Sequence, residues 1–221
     1  MNLGAWVVIL GGRLRCNELG TLFVGEGDPQ TYTMIIQHLI EYLNGIHPLS
    51  DDLQAYLAEN VQVYKFKKKE FILREGQVAK YIYIIWKGMI RFYYTMPDGE
   101  EVSSRFMSER DPAAPILSFF SQVPSHESMV AHEDCEVFGI SYDALEKGRK
   151  QFLEFNYVAF ELIKLNYFTA EERLLIIRRR TARERFELLM QKFPLLVQRV
   201  SKKLLASYID LAPSQMSRKD F

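Results

Sequence analysis

Residues 151–180 read QFLEFNYVAFELIKLNYFTAEERLLIIRRR, with no glycine and no proline. A long helix requires that absence, and the stretch is predicted to be one, on the order of 45 Å long at about 1.5 Å per residue. Its first half is apolar on nearly every side: Phe152, Leu153, Phe155, Tyr157, Val158, Phe160, Leu162, Ile163, Leu165, Tyr167 and Phe168. A surface helix of a monomer needs one buried face; this pattern supplies two. One face is expected to pack on its own domain. The other is expected to meet the same helix of a second copy across a two-fold axis, with Phe155, Leu162 and Leu165 as dimerisation residues. The alternative is the central core helix of a monomer. Thr169-Ala-Glu-Glu172 has the form of a capping box and marks a place where the helix could break.

The chain on either side of this stretch differs in texture. Upstream, residues 1–30 carry scattered glycines without a sustained period and are read as an extension of uncertain structure, with Met34 an alternative beginning. Ile35, Ile36, Leu39, Ile40 and Leu43 fall at helical spacing, and Asn44-Gly45 is expected to end that helix. Ser50 followed by Asp51 and Asp52 predicts the start of a second helix reaching about Glu59. From Val61 onward, VQVYKF, EFILRE, YIYIIW, MIRFYYT, EVSSRF and CEVFGIS are short runs rich in β-branched and aromatic residues. Glu75-Gly76, Lys87-Gly88 and Pro97-Asp98-Gly99 separate them, and the Asp-Gly pair signals a hairpin. Together they predict a small antiparallel barrel or jelly roll. Residues 111–131 interrupt it with three prolines and the apolar ILSFF, read as a loop carrying a short helix. Tyr142 to Lys147 is read as a helical turn leading into the long helix.

Downstream, Thr181-Ala-Arg-Glu184 is a second capping box, so a new helix is expected from there to about Lys192, and Arg180–Thr181 is the expected domain boundary. Ser201 can cap a helix carrying Leu204, Leu205, Tyr208 and Ile209. Asp210-Leu211-Ala212 then supplies a turn, and Pro213 suits the first position of another helix. Two short helices joined by a tight turn suggest helix-turn-helix.

Charge supports a division at this point. The chain has 28 basic and 28 acidic residues, but 12 basic and 4 acidic ones lie from Arg173 onward. A basic tail behind an acidic body points to a polyanionic partner. Composition, 48% hydrophobic and 25% charged, is that of a soluble globular protein. Cys16 and Cys135 supply neither a disulfide framework nor a metal-ligand spacing, and His38, His47, His126 and His132 show no ligand motif. No metal and no cofactor are expected. The apolar run Leu3–Leu10 is far short of the roughly 20 residues a membrane helix needs. A cytoplasmic protein without a membrane partner is therefore expected. No nucleophile–base pair, phosphate loop or metal site indicates an enzyme. Glu100 and Glu101 are neighbours in a strand, face opposite ways, and are read as solvated hairpin residues.

The order of these elements resembles the Crp/Fnr family of bacterial transcription regulators: N-terminal helices, a roll with glycines at its corners, one long helix, then helix-turn-helix. Glu75-Gly76, Gly88 and Asp98-Gly99 fall where that family places its corner glycines. LLASYIDLAPSQMSR is similar to its Leu-Ala…Gly-x-Ser-x-x-x-x-Ser-Arg signature, with Ala206, Ser217 and Arg218 matching. The resemblance covers about residues 32–221. It implies an α+β chain with a cyclic-nucleotide-binding-type sensor domain and dimerisation helix over 31–180 and a DNA-binding unit over 181–221. It further implies DNA, a second copy of the chain and RNA polymerase as partners.

Lys202 and Lys203 would then lie near backbone phosphates, with Ser214, Gln215, Ser217 and Arg218 on the recognition helix, where Arg and Gln suit bidentate contacts to base edges. There are three departures from the family pattern. Members that bind cyclic AMP use a Gly-Glu pair for the ribose and an Arg for the phosphate. Residues 111–131 hold neither Gly nor Arg, His126 is the sole candidate cation, and Glu127 would repel a phosphate. The effector is therefore expected not to be cyclic AMP, and a ligand is expected between roll and long helix, near Phe106, Phe119, Phe120 and Phe160. Asp210 replaces the turn glycine, at some cost in backbone energy. The family's recognition helix also continues past the position of Phe221, so the reading head is expected to be incomplete. Those last two features motivate a second reading, a dimeric sensor or adaptor that has lost DNA binding.

Overall fold

The computed structural model describes residues 29–212 and residue 215, with side chains from residue 35 onward. Helix α1 (Pro29–Ile46) opens on proline, whose missing N–H costs nothing in a first turn, and turns Ile36, Leu39, Ile40 and Leu43 inward. Asn44 and Gly45 lie inside this helix rather than ending it; the Asn44 side chain instead accepts from the Leu49 N–H at 2.8 Å and fixes the chain beyond. Helix α2 (Asp51–Asn60) starts where the Ser-Asp-Asp run predicts, with the Ser50 hydroxyl accepting from the Leu53 N–H at 3.3 Å.

The strands follow: β1 (Val61–Phe66), β2 (Phe71–Leu73), β3 (Tyr81–Lys87), β4 (Ile90–Thr95), β5 (Glu101–Met107) and β6 (Pro112–Ala113). Then come helix α3 (Ile116–Ser121), β7 (Ser128–Ala131) and β8 (Cys135–Ser141). They form two four-stranded sheets, β1-β8-β3-β6 and β2-β7-β4-β5, with every pairing antiparallel. The predicted antiparallel roll and its Asp-Gly hairpin between β4 and β5 are present, with Gly99 at φ 85°. Gly88 stands at φ 95°, and a Cβ there would fall 2.5 Å from the Asp134 carbonyl oxygen, so no other residue fits that corner. Residues 111–131 contain the short helix the sequence suggests, but also β6 and β7, two strands the composition hides. Phe66, Ile85, Phe92, Phe119 and Met129 fill the roll.

Helix α4 (Tyr142–Gln151), capped by Ser141, delivers the chain to α5 (Leu153–Ile177). Helix α5 runs unbroken through Thr169, whose hydroxyl donates back to the Leu165 carbonyl at 3.1 Å instead of capping a new start. Phe155, Val158 and Leu162 pack into the roll core, while the next two turns carry Leu165, Tyr167 and Phe168 outward.

The second capping box is real: the Glu184 N–H reaches the Thr181 hydroxyl at 3.2 Å, and the Thr181 N–H reaches the Glu184 carboxylate at 3.1 Å, opening α6 (Ala182–Lys192). Pro194 then begins a further short helix, α7 (Pro194–Arg199), and α8 (Lys202–Tyr208) follows. These helices share a second core, in which Leu189, Leu205, Ala206 and Ile209 meet Ile176 of α5 and Met89 and Phe106 of the roll. The C-terminal helices are thus seated on the roll, with α8 along β5.

Candidate effector pockets and nucleic-acid interface

Three places offer chemistry: the interior of the roll, the space under α5, and the basic C-terminal helices. In the interior, a cavity of about 290 Å³ lies between the two sheets, walled by Ile72, Leu73, Ala79, Tyr83, Pro115 and Met129, with Gln77 and Lys80 at its edge. Beside it Glu127, predicted to repel a phosphate, is buried and already paired. Arg105 of β5 forms an ion pair with it, and the Ser104 hydroxyl donates to its other oxygen at 2.8 Å. Arg105 lies over the Phe92 ring at 4.4 Å. The arginine that meets Glu127 therefore arrives from a different strand and is neutralised on arrival. Arg91, on the opposite face of the same hairpin, is likewise buried and tied to Glu101 at 2.6 Å and to Ser103 at 2.9 Å. Glu101 is thus an ion-pair partner rather than a merely solvated hairpin residue. A register shift between Phe92 and Tyr93 leaves Ser104 as the extra residue and lets adjacent Ser104 and Arg105 reach the same carboxylate.

The four phenylalanines named for effector contact do not come together. Phe119 is wholly buried and packs edge-on against Phe120 and Tyr142. Phe120 alone of the four lines the second cavity, of about 110 Å³, between the roll and α5. Phe106 lies in the C-terminal core against His132 and Tyr208, and Phe160 is 63% exposed on the far side of α5. Of the residues named for dimerisation, Phe155 and Leu162 are buried against their own roll, whereas Leu165 is exposed. The outward row is Leu153, Tyr157, Phe160, Ile163 and Tyr167, all at least two-fifths exposed.

At the C-terminal helices, Lys202 and Lys203 open α8 and are exposed. Asp210 adopts φ 57°, the left-handed conformation of a helix-ending glycine, and the Leu211 N–H returns to the Ala206 carbonyl at 2.9 Å. Arg185 of α6 secures this turn, donating to the Asp210 carbonyl at 2.7 Å and to the Ile209 carbonyl at 3.2 Å. Gln215 is exposed; its side-chain oxygen accepts from the Ala212 N–H at 2.9 Å, and its own N–H reaches the Ala212 carbonyl. Ser214, Ser217 and Arg218 lie outside the described residues, as do Cys16 and nearly all of 1–30.

A set of polar contacts that the sequence does not reveal fastens these helices to the roll. Arg199 donates to Glu109 at 2.7 and 2.9 Å and to Glu133 at 3.0 and 2.7 Å. Its guanidinium holds the Glu133 carboxyl below the usual carboxylate range. Burial works to raise Glu109, but hydrogen bonds from Arg199 and from backbone N–H groups outweigh it, and the net shift is downward. Burial pushes His132 down as its ring stands 3.4 Å from the Arg199 carbonyl. The Ser207 hydroxyl accepts from the Ser103 N–H at 2.8 Å, and Arg173 donates to the Tyr208 carbonyl at 2.9 Å. Cys135, behind this interface, is buried, and its thiol is pushed up to about 11, which leaves it inert. No helix among the described residues is long and apolar enough to cross a membrane.

Comparison with known proteins agrees with the roll. Residues 63–151 match the cyclic nucleotide-binding domain family. The anaerobic regulatory protein of Bacillus subtilis is 28% identical over 116 residues, which is 52% of this chain and 48% of that protein, so the match spans about half of the relative's length. FixK2 from Bradyrhizobium japonicum superposes with a TM-score of 0.61 at 20% identity, over 72% of this chain and 81% of that one. A cyclic nucleotide-binding domain from Methylobacillus flagellatus gives 0.56 at 17% identity, over 67% and 87%. Residues 63–151 are therefore similar to the cyclic nucleotide-binding domain, the α+β fold is that of FixK2, and a bacterial regulatory protein is among the chain's relatives.

Proposed function

We propose that this protein is a dimeric, cytoplasmic DNA-binding transcription regulator of the Crp/Fnr type, not an enzyme, answering a small-molecule effector other than cyclic AMP. The observation that carries this reading is the turn at Asp210. A left-handed residue closes α8 and turns the chain sharply toward Gln215, within a segment where basic residues outnumber acidic ones 12 to 4. That is the geometry a helix-turn-helix needs to carry a second helix away from the first. Lys202 and Lys203 contact phosphates, while Ser214, Gln215, Ser217 and Arg218 face the bases, Arg218 supplying the bidentate contact. A two-fold dimer presents two such units, so half-sites fall about 34 Å apart. Cyclic AMP is disfavoured because Arg105, the arginine beside Glu127, is already committed to that carboxylate.

A salt titration by mobility shift tests the proposal. Binding should fall with a slope of about −0.9 per phosphate neutralised, and Lys202→Ala should weaken binding to all sequences alike. Arg218→Ala should cost about 1–3 kcal/mol and relax preference at one base position. If no salt-dependent binding is found, the reading fails and that of a dimeric adaptor replaces it. The seating of α8 on β5 through Ser207, and of α7 on the roll through Arg199 and Glu133, is the contact such an adaptor would use.

A further inference from the structure

The structure assigns a second small-molecule site to the partly open cavity of about 110 Å³ between the helices and the outer side of the β1-β8-β3-β6 sheet. Leu43 of α1, Ile84 and Phe138 of the sheet, and Val158 and Leu162 of α5 wall it. Ile84 and Phe138 are cross-strand partners, so they present one continuous apolar face. This space is separate from the roll interior, whose wall includes β2 and β7 residues of the other sheet.

Two observations make it a site rather than a gap in packing. Protein interiors leave few voids larger than a water molecule, and an apolar cavity of about 150 Å³ takes up benzene. The second is Asn166 of α5, on the cavity wall. Its amide nitrogen donates to the Pro112 carbonyl at 3.3 Å, which fixes the orientation of the side chain. Its Oδ1 is buried and accepts no hydrogen bond among the described residues. Buried acceptors are normally satisfied, and a water needs two to four polar partners to stay in place. Arg149, also on the wall, is engaged with Glu146 at 2.8 Å. The cavity thus suits an uncharged, compact molecule of roughly five or six heavy atoms. That molecule has an apolar body and one N–H or O–H donor directed at Asn166 Oδ1.

The assignment names a class of effector for the regulator proposed above, but its test reads binding alone, so failure of DNA binding leaves it untouched. The full chain, with isotope-labelled methyl groups, is titrated with pyrrole and with furan, rings of equal size that differ in the N–H donor. Pyrrole should shift the Leu43, Val158 and Leu162 methyl signals in a saturable manner at about millimolar concentration. Furan should bind about fivefold more weakly, the difference expected for one hydrogen bond. Ala159 lines the same space, and Ala159→Leu should abolish the shifts by filling it. Should that variant fail to fold, Asn166→Leu decides: it should erase the preference for pyrrole. The absence of saturable shifts, equal affinity for the two rings, or pyrrole binding undiminished in Ala159→Leu would each overturn the assignment.

Discussion

Helix α5 has two rows of apolar side chains with opposite fates. Phe155, Val158 and Leu162 are at most 8% exposed and belong to the core of their own roll. Leu153, Tyr157, Phe160, Ile163 and Tyr167, on the same turns, are 43–67% exposed. Hydrophobicity alone does not separate the rows, since both are made of leucine, isoleucine, valine and aromatics. What separates them is whether the same chain supplies a surface to pack on. Exposed apolar rows of this length mark an interaction site, and the proposed partner is the same helix face repeated across a two-fold axis.

The contrast can be broken from either side. Leu162→Ala on the inner row should cost about 2–5 kcal/mol of folding stability in chemical denaturation, with no effect on subunit affinity beyond that of unfolding. Ile163→Glu on the outer row should reverse this pattern: the fold is retained, and subunit dissociation by sedimentation rises at least about a hundredfold, because a charge must be desolvated in the interface.

Farther along α5 the inner row changes partner. Ile176 and Arg173 face the C-terminal helices, which polar contacts fasten to the roll. Arg199→Ala should cost about 1.5–3 kcal/mol and speed amide exchange in α8 while leaving β8 protected. Acid should act in the same direction. His132 is kept neutral in the fold, so its contribution is present above the unfolded value and fades below about pH 6.5. Glu133 and Glu109 have lowered folded values, so theirs fades further as pH falls through the carboxylate range. The smallest effect is expected at the turn. Asp210→Gly should stabilise by about 0.5 kcal/mol, read from thermal unfolding, because glycine adopts the left-handed backbone freely while Asp210 gives up only a long, exposed ion pair with Arg185 at 3.7 Å.

Much of the fold was legible because local chemistry and tertiary structure agree. Six strands announce themselves by β-branched and aromatic runs between turn residues, and Thr181-Ala-Arg-Glu184 caps α6 as written. Strands β6 and β7 were not legible, being a Pro-Ala pair and a four-residue Ser-Met-Val-Ala segment that pairing, rather than propensity, makes into strands. Thr169 misled for the complementary reason: a capping box requires an extended residue before the helix, and packing on both sides holds Thr169 helical. The site was less legible than the fold. Nothing in EVSSRF says that Arg105 turns inward to Glu127 while Phe106 turns toward Tyr208. Nor does the lone Arg199 in a basic segment disclose two carboxylates waiting on the roll. The exposed arc of α5, by contrast, was visible as a surplus of apolar residues, although the sequence could not tell Leu162 from Ile163.

The most direct test of the account is the mass of the unmodified protein by light scattering over a concentration series. The expected result is a particle of twice the chain mass that dissociates on dilution and that Ile163→Glu reduces to single chains. A stable single chain at every concentration, with Phe160 and Ile163 still in solvent, would contradict it.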